Sequence, residues 1–150
     1  MAFLLSGNPQ ARGLAVLRVM LGVFFIFEAV GKRAWLLDTA PLNAMLQTWL
    51  QTAGPASRWY LETVCLPGVA IFARLVPLGE AAAGLALITG TYTRLAAFMA
   101  LLMVLNFHVA SGAIFKYAFL TNGFGLPVMG GLLALALGGG VGLPLSVNRK

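Results

Sequence analysis

The chain has 150 residues, 60% of them hydrophobic and only 9% charged, with a net charge of +6 and a mean hydropathy of +0.91. A soluble domain carries about 25% charged residues, so this composition excludes a soluble enzyme and leaves one integral membrane domain. The basic residues are scattered, mostly at the ends of apolar runs, where they serve as flank anchors; that excludes a nucleic-acid surface.

The N-terminal stretch MAFLLSGNPQARG has no basic segment ahead of an apolar core, and no A-x-A-like site follows, so no cleaved signal is expected. The first spanning helix is expected over about residues 14–31, LAVLRVMLGVFFIFEAVG. Glu28 interrupts its apolar run, and Lys32 follows one turn later, where an i,i+4 pair can form. Residues 32–65 make a long excursion. Within it Leu42, Met45, Leu46, Trp49 and Leu50 share one helical face, opposite Asn43, Gln47 and Gln51. This spacing predicts an amphipathic helix over about 41–53, lying in the membrane interface beside Trp35, Trp59 and Tyr60. Asp38 or Thr39 can cap it, Pro41 suits its first turn and Gly54 can end it. Cys65 is the only cysteine, which excludes an intrachain disulfide and a C-x-x-C redox pair. It reads as a small buried residue.

Three further spans are expected, over about 66–90, 93–111 and 118–142. The tight turn at 91–93 makes the second and third antiparallel neighbours. The fourth is glycine-rich (Gly123, Gly125, Gly130, Gly131, Gly138, Gly139, Gly140), which permits close helix packing where lipid supplies no hydrophobic drive. The expected fold is therefore an all-α integral membrane protein, a four-helix bundle with an interfacial helix between its first two spans. Charge does not set its orientation. Arg12, Arg94, Arg149 and Lys150 would lie on one side and Lys32, Arg33, Arg58 and Lys116 on the other.

Six polar residues fall inside the spans: Arg18, Glu28, Arg74, Glu80, Asn106 and His108. A charge at the bilayer centre costs roughly 2.5–3.5 kcal/mol on insertion scales, so such residues pair or face a wet cavity. Glu80 is deep and has no basic residue at i±3 or i±4. It either takes a partner from another helix, for which Arg18 is the best candidate, or is neutral. Glu28 is shallower and can pair with Lys32 or Arg74. Glu28, Arg74, Asn106 and His108 fall in the same half of the bilayer, on three helices, under the 32–65 excursion. A ligand pocket is expected there. His108 is the only histidine, so a bis-histidine haem within the chain is excluded and a histidine-based metal site is not expected. It can bond a ligand carbonyl or simply sit at the interface. No flavin, phosphate-loop or dinucleotide motif is present.

The runs LRVMLGVFFIFEAVGKRAW and ARLVPLGEAAAGLALITGTYTRLAAFMALLM resemble the DoxX family of small four-helix bacterial membrane proteins. The matching positions are Arg18, Gly22, Gly31 and Lys32, then Pro77, Glu80, Gly84, Gly90, Thr93 and Arg94, within roughly residues 14–110; Glu28 is less typical. The resemblance implies a multi-pass protein of the bacterial inner membrane with a cytoplasmic N-terminus. It also implies a role as the membrane subunit of a quinone-linked redox system concerned with sulfur, thiols or oxidative stress. In that reading a quinone binds within the bundle, and electrons come from a partner subunit, because the chain has no carrier of its own. The alternative is a non-enzymatic subunit that assembles or escorts membrane partners, forms a homo-oligomer, or passes a small solute.

Overall fold

A computed structural model of the chain describes residues 8–114 and 116–139. Among these, every regular element is a helix. The first, α1 (Pro9–Gly31), starts at Pro9 rather than near residue 14. Asn8 explains the early start: its side-chain oxygen accepts the Gln10 N–H at 3.0 Å, and Pro9 occupies the first turn, where a missing N–H costs nothing.

A 3-10 turn (Arg33–Leu36) leads to α2 (Ala40–Thr52), which opens on a bond from the Ala40 N–H to Asp38 Oδ1 at 2.9 Å. Leu42 and Leu46 of α2 are buried, whereas Asn43, Gln47 and Gln51 are exposed. The short α3 (Pro55–Tyr60) runs into a π turn (Leu61–Cys65) closed by the Leu66 N–H on Leu61 O at 2.9 Å.

Two long helices follow, α4 (Val69–Thr89) and α5 (Thr93–Ala110). Between them Gly90 (φ 74°) and Tyr92 (φ 48°) are both left-handed, which is how so short a link reverses the chain. The region expected as one fourth span divides into α6 (Tyr117–Thr121) and α7 (Leu126–Gly138). Asn122 causes the break, since its Oδ1 takes the Gly125 N–H at 2.6 Å before Pro127 starts the next helix. A Cβ at Gly125 would run into the carbonyl oxygen of Phe119, so only glycine fits that corner. At 13 residues α7 is about 20 Å long. The expected span continues past residue 139, outside the described residues.

Among the described residues three helices, α1, α4 and α5, are long and apolar enough to cross a membrane, and only 33% of the most apolar window of each is buried. The remaining apolar surface is what a bilayer covers. Leu21 and Phe25 of α1, Leu87 of α4, Ala97 of α5 and Leu132 and Leu135 of α7 form one core cluster. A second, smaller cluster lies beneath α2, around Trp35, Leu42, Leu46, Leu61 and Ala73. At the other end, Arg94 Nε donates to Ala136 O at 3.0 Å and ties α5 to α7.

The contact that sets the register is Gly22 against Gly84. A Cβ on Gly22 would stand 2.9 Å from Gly84 O, and one on Gly84 would stand 2.8 Å from Gly22 O. The backbones of α1 and α4 touch there, in the close approach that small residues permit in membranes. Every charged contact between the two helices follows from that crossing.

Candidate functional site

Glu80 and Arg18 lie on opposite sides of the crossing. Glu80 is four residues before Gly84, and Arg18 is four residues before Gly22 on an antiparallel helix. At 1.5 Å per residue they are separated by about 12 Å along the bundle. The pairing expected between them is therefore absent from the interhelical contacts. Arg18 is buried, and its Nη1 donates to the carbonyls of Leu87 at 2.6 Å and Ile88 at 3.1 Å. These are among the last carbonyls of α4, which lack N–H donors within the helix and carry its negative dipole end.

Glu80 instead meets Lys32. The ammonium nitrogen is 2.9 Å from Glu80 Oε1 and 2.6 Å from Glu28 Oε2. One cation thus bridges two carboxylates on two helices. The side chains grade inward: Glu28 is 32% exposed, Lys32 16% and Glu80 6%. Lys32 is held inward by the two carboxylates that bind its ammonium. Its ammonium also stands 5.9 Å from the centre of the Phe107 ring, within cation–π range. The cluster carries a formal charge of −1. Its innermost oxygen, Glu80 Oε2, is buried with no hydrogen-bond partner among the described residues.

Beside this cluster lies a cavity of about 30 Å³ between α2, the π turn, α4 and α5. Leu46 and Trp49 line it from α2, Cys65 from the π turn, Phe72 and Val76 from α4, and Asn106 and Phe107 from α5. Phe107 joins the two features, since it lines the cavity and faces Lys32; Trp49 meets its ring edge-on, with centroids 6.1 Å apart. Asn106 Oδ1 accepts a short hydrogen bond from the Tyr60 hydroxyl. Burial, and then the neighbouring Cys65 thiol, push the Tyr60 pKa above its ordinary value, so Tyr60 remains a donor. Burial likewise pushes the Cys65 thiol up, against a hydrogen bond with Tyr60, which keeps it from acting as a thiolate nucleophile.

The other expected residues are placed elsewhere. Arg74 is exposed, with Nη1 on its own helix at Ala70 O, 2.6 Å away. His108 is buried and donates from Nε2 to Phe124 O at 3.0 Å, with its ring edge-on to Phe119 at 4.8 Å. It fastens the end of α5 to the segment before α7. Glu28, Arg74, Asn106 and His108 thus do not converge on one pocket. Lys32, Phe107, Trp49 and Tyr60 were outside the expected site. Lys32 was legible as the i+4 partner of Glu28, but its second carboxylate depends on the Gly22–Gly84 register.

The family model described as DoxX matches residues 13–113. No match was found among curated proteins or among solved structures. The match spans α1 through α5, including the crossing glycines, the bridged carboxylates and the cavity walls, and the chain belongs to the DoxX family.

Proposed function

We propose that the protein is the membrane subunit of a quinone-linked redox system, with the Glu28–Lys32–Glu80 cluster conducting protons between the membrane surface and a quinone held in the bundle. The observation that carries this reading is the graded cluster itself. Glu28 opens to the surroundings, Lys32 links it to Glu80, and Glu80 ends inside on an oxygen with no hydrogen-bond partner among the described residues. A chain of titratable groups with one wet end and one dry end is the arrangement proton delivery needs. A bound quinone takes up two electrons and two protons. The electrons come from a partner protein, because neither a haem pair nor a cysteine pair can be built from this chain's residues.

Electrochemical infrared difference spectroscopy on purified protein loaded with a short-chain quinone tests the proposal. The expected result is saturable quinone binding and a redox-linked carboxyl band that shifts in heavy water and disappears in Glu80→Gln. Bound quinone with no carboxyl signal removes the proton role. The lack of any saturable binding moves the reading to an assembly or escort subunit.

In the same reading α7 belongs to a fourth span, and α2 lies along the interface with Leu46 inward. A membrane-impermeant maleimide is expected to label Gln47→Cys and spare Leu46→Cys, both in a Cys65→Ser background. Equal labelling of the two would remove the interfacial placement.

A further inference from the structure

We propose that the cavity under α2 is the ring-binding site of this subunit, with Asn106 as its recognition donor and Trp49 as a plug standing where a ligand ring goes. The inference rests on the quinone-linked reading and assigns the ligand's place within it. The ligand class is a planar, neutral ring bearing a carbonyl acceptor.

Three observations carry it. First, Tyr60 occupies Asn106 Oδ1, which fixes the amide orientation. Asn106 lines the cavity, and its Nδ2 donates to no acceptor among the described residues. An amide donor held at the wall of an otherwise apolar space is how a ligand pocket specifies a carbonyl oxygen. Second, the walls are mostly apolar: Phe72, Val76, Phe107 and Leu46 line the space. Third, the cavity holds about 30 Å³, room for roughly two waters, whereas a cavity binding benzene is about 150 Å³. A ring therefore enters only if a side chain leaves. Trp49 is the one suited to leave. It is half-buried on the amphipathic α2, and it meets Phe107 edge-on, with no hydrogen bond to its indole among the described residues. Its indole is itself larger than a benzene ring, so its departure frees a ring-sized slot set at 90° to the Phe107 ring. A ligand in that slot lies against the ring that Lys32 faces from the charged cluster.

Isothermal titration calorimetry of the full chain in detergent, with a short-chain benzoquinone and with toluene as probes, tests this. Trp49→Ala is expected to bind both probes about tenfold more tightly or better, since the plug no longer has to be displaced. A misfolded variant cannot produce that gain. Asn106→Leu is expected to weaken the quinone about three- to tenfold, the value of one neutral hydrogen bond, while leaving toluene unchanged. Equal loss of both probes in Asn106→Leu overturns the donor assignment. Unchanged affinity in Trp49→Ala overturns the plug. Should the parent bind quinone with the Glu80-dependent carboxyl signal while neither substitution matters, the ring site is elsewhere and the proton-conducting role stands.

Discussion

Lys32→Met is expected to lower the stability of the folded bundle by about 3–5 kcal/mol, the usual cost of removing one partner from a buried ion pair. Methionine fills much of the same volume, so packing changes little. The loss is electrostatic: Glu80, only 6% exposed, would have no counter-charge, and the more open Glu28 would contribute less. The diagnostic is the double variant. Lys32→Met with Glu80→Gln removes the stranded carboxylate and should recover most of the loss, giving a large favourable coupling in a double-mutant cycle. Unfolding in detergent, followed by circular dichroism, provides the measurement. A single-variant loss under about 1 kcal/mol would place this cluster with ordinary exposed pairs and discard the bridged geometry.

The second large effect is expected at the helix crossing. Gly84→Val should separate α1 from α4, because even a lone Cβ there meets Gly22 O at 2.8 Å and Ile26 Cγ1 at 2.9 Å. Backbone cannot move aside as a side chain can, so the cost is expected at or above the roughly 1–3 kcal/mol of ordinary overpacking. Gly130 is the control. Nothing lies within 4 Å of a Cβ built there, so Gly130→Ala should be neutral or stabilise the helix by up to about 1 kcal/mol. Thermal melting of both variants in the same detergent checks the contrast. If Gly84→Val melts with the parent, the crossing is not where α1 and α4 meet.

Hydropathy made the long apolar helices legible, and the period of Leu42, Leu46 and Trp49 marked the buried face of α2. Helix ends were read less well where the cue was capping chemistry rather than hydropathy. Asn8 and Pro9 extend α1, and Asn122 breaks the fourth apolar run. The charged cluster was half visible, since Glu28 and Lys32 are neighbours along one helix. What hydropathy does not encode is the sliding of one helix along another. Depth counted from assumed helix ends set Arg18 against Glu80, whereas the glycine crossing sends Arg18 to the carbonyls of Leu87 and Ile88 and leaves Glu80 to Lys32. Gly22 and Gly84 are the cue to that register, but sequence alone does not say that they face each other. The aromatic contacts around Phe107 depend on the same register and on the path of the excursion, neither of which has a local signature.

The π turn at Leu61–Cys65 has a consequence for how the chain tolerates changes of length. Its Leu66 N–H reaches back five residues, to Leu61 O, rather than four, so the turn holds one residue more than an α-helical turn. Each residue of a helix turns the chain by about 100°. Losing a single residue here would restore a regular helix and rotate Tyr60 against Cys65 and the whole of α4 by that amount. Tyr60 could not then reach Asn106 while Cys65 still lined the cavity. Connections between membrane helices commonly accept insertions and deletions at little cost, but this one is fixed in residue number, since the turn sets the phase between the excursion and the bundle.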